Sequence, residues 1–234
     1  MKKIIAIILA CIIMAAMGVY IKKNQNKNTI KVMTERGESY LKSHDDDKAI
    51  ECFTKVLEIH PKNYDANIKL GVLYEKKGDL DNAITYFQNS ASIQPNNVFP
   101  YQALGIIYIQ KKDYDSAINY CNKGLSINPN ESFILVALAS IYSEKKDYIK
   151  EIEYFKKALA VNPNEAQNIN QYLEDAYINL ANEQHQNNQY DESLKNYDEA
   201  LKINPSNQEV LESIDNTKHI IESEKMLENI NPAQ

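Results

Sequence analysis

Tryptophan is absent from this 234-residue chain, and glycine (6), proline (7), cysteine (3) and histidine (4) are all scarce. Three cysteines cannot build the paired framework that staples small secreted domains. Cys11 lies in an apolar N-terminal run, while Cys52 and Cys121 read as small buried hydrophobes on similar faces of two later helices. The phosphate-cradling glycine patterns are missing, as are C-x-x-C and H-E-x-x-H. His44, His60, His185 and His219 are dispersed without ligand spacing. Asp45-Asp46-Asp47 lacks the alternating ligands and distant glutamate of a calcium loop, and reads instead as an inter-helix turn with a helix cap. Basic excess is missing too: 26 Lys and Arg face 32 Asp and Glu, a net charge of −6. That balance argues against nucleic-acid binding through a basic stripe. The expectation is a chain with no enzymatic activity, cofactor, metal or small-molecule substrate.

One long hydrophobic run is present. Lys2 and Lys3 precede an uncharged stretch from Ile4 to Ile21, and Lys22 and Lys23 close it. As a helix it would rise ~27 Å, close to a hydrocarbon core. Three readings compete. A cleaved signal peptide would use the small residues Ala15, Ala16 and Gly18, but Val19-Tyr20-Ile21 continues the run past them. A lipoprotein signal would use Ile8-Leu9-Ala10-Cys11, but the residues after Cys11 stay apolar. An uncleaved single-pass transmembrane anchor over residues 1–23 is the expectation, followed by a polar linker over 24–29. Its lysine head favours an extracytoplasmic repeat domain, although Lys22, Lys23, Lys27 and Lys31 pull the other way.

The remainder is periodic. Pro61, Pro95, Pro129 and Pro163 are 34 residues apart, and Tyr40, Tyr74, Tyr108 and Tyr142 keep the same interval. Gly37, Gly71 and Gly105 share it. Within one period, Tyr101, Leu104, Gly105 and Tyr108 mark one face of a helix, and Ala117, Cys121, Gly124 and Leu125 mark a second. Asp113 can cap the second helix, as can Asp45, Asp79 and Asp147 in the other periods. Proline ends each period because it cannot continue a helix. A glycine inside a helix costs ~1 kcal/mol against alanine. Three at one phase therefore imply close approach of the paired helix.

These residues resemble the tetratricopeptide repeat family. The units are 30–63, 64–97, 98–131, 132–165 and 174–207. Unit two matches with Leu70, Gly71, Tyr74, Ala83, Phe87 and Pro95. Unit one departs with Arg36 where leucine is expected, and unit four with Glu151 where alanine is expected. The resemblance implies an all-α, right-handed α-solenoid of helix-turn-helix hairpins. The interval from Pro163 to Pro205 is 42 residues. Residues 166–173 thus lengthen the first helix of unit five, and the extra turns are expected to project from the array. Residues 208–234 read as a capping helix and tail.

The resemblance also implies a concave groove lined by the first helix of each pair. Mapped here, it holds Ile68, Val72, Phe99, Gln102, Ile106, Ile109, Phe133, Val136 and Ser140. It turns polar in unit five with Asp175, Ile178, Asn179, Asn182 and His185. These positions lie ~100° round the helix from the packed face. Neighbouring repeats either cover this apolar stripe or leave it as a peptide groove. The basic clamp that some members use for chaperone tails is missing, with Thr34, Glu38, Phe99 and Ala103 at its positions. The expected function is a membrane-anchored scaffold that binds a protein or peptide in the groove. The alternative is an assembly subunit of a larger membrane complex, acting through its convex face or self-association.

Overall fold

A computed structural model describes the backbone of residues 2–230 and the side chains of residues 12–227. Cys11, weighed above as a lipidation site, and the tail over 231–234 lie outside the described side chains. The helices are α1 (Lys2–Lys42), α2 (Asp46–Ile59), α3 (Tyr64–Lys76), α4 (Leu80–Ile93), α5 (Val98–Gln110) and α6 (Tyr114–Ile127). They continue with α7 (Ser132–Glu144), α8 (Tyr148–Val161), α9 (Ala166–Gln186), α10 (Tyr190–Ile203) and α11 (Gln208–Ile230), a short 3-10 turn at Pro163–Glu165 preceding α9. The chain divides into two compact units, up to Ile107 and from Tyr108 onward. In the first, α1 pairs with α2, α3 with α4, and α2 packs on α3. In the second, α7 pairs with α8 and α9 with α10, while α8 packs on α9 and α10 on α11.

The turn inside each hairpin is built the same way every time. One residue takes a left-handed conformation: His44, Gly78, Lys112, Lys146 or Asn188. The next residue caps the second helix. Asp45, Asp79, Asp113 and Asp147 each accept a hydrogen bond from the backbone amide three residues on, at 3.1–3.3 Å. That satisfies an amide the helix start would otherwise leave unpaired. Gln189 holds the same place before α10 with similar backbone angles but makes no side-chain cap.

Packing inside the hairpins follows from the small residues. A β-carbon at Gly71 would meet the ring of Phe87 at 2.8 Å, and one at Gly37 would meet the ring of Phe53 at 2.8 Å. Both phenylalanines are essentially fully buried. Each such ring contributes about 1.5–3 kcal/mol through burial. Nearer the turn, Tyr74 stacks on Tyr86, Tyr108 on Tyr120 and Tyr142 on Tyr154, with centroids 5.4–5.5 Å apart. At the matching place between α9 and α10, Asn196 donates to Gln184 at 2.7 Å. A polar pair thus replaces the stacked rings. Successive hairpins are also bridged by exposed pairs such as Lys76–Asp46 and Lys145–Asp115. Exposed pairs contribute ~0–1 kcal/mol each, so the apolar seam carries the stacking.

Three expectations need correction. The first is the separate transmembrane helix. Residues 1–23 are not followed by a break; α1 runs from Lys2 through residues 24–29 into the first hairpin as one helix of 41 residues. No glycine or proline stands between Lys22 and Lys31 to end it, and asparagine alone is too weak a breaker. Among the described residues no helix is long and apolar enough to cross a membrane. With the expected span fall the membrane anchor, the membrane partner and the single-pass, extracytoplasmic placement.

The second correction concerns the start of α9. Its added turns do not stand free: Ile169 and Leu173 are 3% and 6% exposed. They join Leu135, Ile152 and Phe155 in one core. The helix lies down because its apolar residues recur every three to four positions and find the face of the preceding hairpin. The third concerns α11. Val210, Ile214 and Thr217 are buried, with Val210 and Ile214 against Ala181 and Tyr197, whereas Met226 and Leu227 are exposed. Only its first half covers the last hairpin.

Candidate peptide-binding surface

The first unit holds five of the sequence-predicted groove residues. Ile68 and Val72 sit on α3, where Leu70 and Leu73 are the buried neighbours. Val72 is 42% exposed. Phe99, Gln102 and Ile106 sit on α5, and Phe99 is 44% exposed although Leu104 on the same helix is fully buried. One edge of the Phe99 ring rests against Phe87, with centroids 6.2 Å apart. Helical phase explains the split, since positions ~100° apart face different surroundings. Gln102 and Ile106 are half-buried.

The second unit holds the others. Ile109 ends α5 and is half-buried. Phe133, Val136 and Ser140 lie along one face of α7, with Phe133 49% exposed and Val136 packed partly against the core. The Ser140 hydroxyl donates to the Val136 carbonyl at 3.1 Å, so it is turned onto its own helix. Asn179 is exposed on α9. Asn182 is occupied: its side-chain oxygen accepts a short hydrogen bond from the Tyr197 hydroxyl. A buried tyrosine needs a partner for its hydroxyl. That need, at the place where Phe53, Phe87 and Phe155 stand in other hairpins, was the sequence signal that Asn182 serves the fold. Lys146, Tyr148, Asn179, Asn182, Glu183 and Gln186 surround a hollow of about 390 Å³.

Sequence reasoning noted Glu151 only as a departure from alanine. In the structure it is 4% exposed on α8, and its Oε2 has no hydrogen-bond partner. Burial pushes this carboxyl above the usual glutamate range, Ser143 opposes the shift, and Asp175 adds to it. Glu174, equally buried, is treated differently: its Oε1 accepts from the side-chain amides of Asn204 at 3.0 Å and Asn207 at 2.6 Å. Among the described residues no group of three or more His, Cys, Asp or Glu side chains is placed to hold a metal ion. Cys52 and Cys121 are free and buried, and burial pushes the Cys121 thiol up to about 12. A thiol held neutral in this way is a poor nucleophile.

The tetratricopeptide repeat family matches residues 34–98, 100–131, 134–165 and 174–207. No curated protein matches the chain in sequence. Among solved structures, MamA 41-end from Desulfovibrio magneticus RS-1 is similar in fold, with TM-score 0.60 and 17% identity, over 77% of this chain and 97% of that one. A tetratricopeptide repeat protein from Parabacteroides merdae gives TM-score 0.59 and 19% identity, over 83% and 74%. YrrB, described as a TPR protein with an unusual peptide-binding site, gives 0.56 and 15%, over 77% and 89%. Identities this low carry the fold alone. The hairpins and the matched repeats agree: this chain belongs to the tetratricopeptide repeat family.

Proposed function

We propose that this protein captures a peptide or an extended segment of a partner protein on the groove face of its first helices. The observation that carries this reading is the exposure of Val72, Phe99 and Phe133 at one repeating phase, on helices whose other large apolar residues are buried or half-buried. Large apolar side chains left at ~40–50% exposure on a regular face are an interaction signal rather than scattered surface hydrophobes. Ile68, Gln102 and Ile106 belong to this surface in the first unit, and Ile109, Val136, Ser140 and Asn179 to its counterpart in the second. Asn182 supports it from behind through Tyr197. The likeness to YrrB, whose description names a peptide-binding site, supports the same reading. The test is capture of a bound partner by Phe99→Ala and Phe133→Ala variants with the helical melt followed in parallel. Lost capture with an unchanged melt supports the groove; unchanged capture overturns it.

A second reading, an assembly subunit that self-associates, is favoured by α1. Ile12 to Ile21 stay exposed there, and a hollow of about 810 Å³ is lined in part by Val19, Tyr20, Ile30 and Ile59. Size measurement across a wide concentration range tests it, and a concentration-independent monomer removes it.

A further inference from the structure

Two apolar surfaces outside the groove carry charges of opposite sign. The first is the hollow of about 810 Å³ beside α1, lined by Val19, Tyr20 and Ile30 and, from the end of α2, by Ile59. Val19 and Tyr20 are 69% and 66% exposed. Lys22, Lys23 and Lys27 line it too, all three exposed, and no carboxylate is among the described residues around it. Val19, Tyr20, Lys23, Lys27 and Ile30 fall within ~100° of one another round α1. The lysines therefore stand among the apolar residues and not behind them.

The second surface is the distal half of α11. Val210 and Ile214 account for its first half, packed against the last hairpin. Beyond Thr217 no described residue of the helix is buried, and Met226 and Leu227 are 63% and 67% exposed. Glu222 precedes Met226 by four positions and Glu224 precedes Leu227 by three, and both glutamates are exposed. Residues three or four apart are neighbours on a helix surface. Met226 and Leu227 thus form a ridge with a carboxylate on either flank, and Lys225 lies ~150° round the helix, at the back. The pattern of the hollow is repeated with its sign reversed.

Charge selects the occupant of the hollow. A purely apolar partner would strip water from the lysines and leave them unpaired, which is costly. A second α1 would bring the same lysines, and like charges repel. The occupant must carry carboxylates within one turn of its apolar side chains, as the distal half of α11 does. Glu222 to Leu227 spans ~8 Å along the helix axis and Val19 to Ile30 spans ~17 Å. The ridge fits within the length of the hollow.

Resting on the self-association reading, we propose that the hollow beside α1 receives the distal half of α11 from a second copy of this chain. Met226 and Leu227 rest on the apolar lining, and Glu222 and Glu224 pair with Lys23 and Lys27. The two surfaces differ, so the contact is head-to-tail. Each added copy leaves one hollow and one α11 unused, and association runs past the dimer unless the copies close into a ring.

The experiment is sedimentation of the full-length protein over a wide concentration range, with the helical melt as a control for folding. The wild-type protein is expected to form oligomers larger than a dimer, and to lose them as salt rises and screens the charge pairs. One variant removes the ridge, Met226→Gln with Leu227→Gln; a second reverses the hollow, Lys22→Glu with Lys23→Glu and Lys27→Glu. All five substitutions change exposed side chains to good helix formers. Each variant alone is expected to associate at least about tenfold more weakly. Mixed, they are expected to form a heterodimer and stop there, because only one intact hollow and one intact ridge remain between them. Association unchanged in either variant, or a mixture that stays monomeric, overturns the contact. If the wild-type protein still associates in that case, self-association stands on another surface. A wild-type protein that is monomeric at every concentration overturns both.

Discussion

Gly71 on α3 and Phe87 on α4 meet so closely that a β-carbon on Gly71 would sit 2.8 Å from one ring carbon and within 3.0 Å of two others. The glycine is kept by the neighbouring ring and not by its own backbone, which is ordinary helix. Gly71→Ala gains ~1 kcal/mol of helix propensity. It also drives a methyl into a ring that is fully buried. Overpacking of this kind costs about 1–3 kcal/mol. The expected outcome is a lower urea midpoint for Gly71→Ala, and a higher one would refute the contact.

The missing cap of α10 is repairable. Gln189 has φ −89° and ψ 63°, beside φ −87° and ψ 77° for the capping Asp113. Gln189→Asp should therefore accept from the amide three residues on, as its counterparts do. A good N-cap is worth about 1 kcal/mol. Slower amide exchange at the start of α10, with a raised melting temperature, is the expected result. No change in exchange there would mean that the turn differs from its siblings.

Acid and base should act on this protein in opposite ways at two kinds of carboxyl. Glu151 is raised above its ordinary value of 4.5, first by burial. The folded chain therefore holds this proton more tightly than the unfolded one. Its contribution to stability is full below the unfolded value and is lost as pH rises through the folded value. The capping carboxyls Asp79 and Asp113 are lowered, first by hydrogen bonds from Asn82 and Ser116 respectively. Their contribution is present above the unfolded value of 3.8 and is lost as pH falls through the folded value. Glu151→Gln should raise the melting temperature at neutral pH and lose that advantage at pH values below the ordinary glutamate range. An equal gain at both ends would show that charge is not the cause.

The groove phenylalanines and the core phenylalanines should separate cleanly in stability. Phe155→Ala removes a ring that is 3% exposed and should cost about 3–5 kcal/mol. Phe133→Ala removes one that is 49% exposed, so its melt should move far less. Comparable losses from the two would place Phe133 in the core and count against its role in binding.

Much of the fold is legible in the one-dimensional pattern because a repeat states the same local physics several times. Prolines and tyrosines at a constant interval mark the units, aspartates mark the helix starts, and small residues mark the closest helix contacts. The left-handed residue before each cap is harder to read. Only Gly78 announces it, whereas His44, Lys112, Lys146 and Asn188 adopt the same conformation under the pull of the turn. The continuity of α1 was also hidden, since a polar stretch reads as a linker until the helix on either side of it is seen to carry through.

The candidate groove was implied by the family resemblance, and its helical phase says only which residues face away from the paired helix. Exposure at Phe99 and Phe133, the hydrogen bond that binds Asn182 to Tyr197, and the burial of Ile169 each depend on which side chain the next helix brings. Glu151 is the plainest case. Its sequence neighbours declare a departure from alanine. Its burial, with one oxygen unanswered, exists only after the helices have packed. Local chemistry and periodicity determine the hairpin and its turns, because those interactions span a few residues. Burial and electrostatic partnership arise between elements far apart in the chain, and only the packed structure decides them.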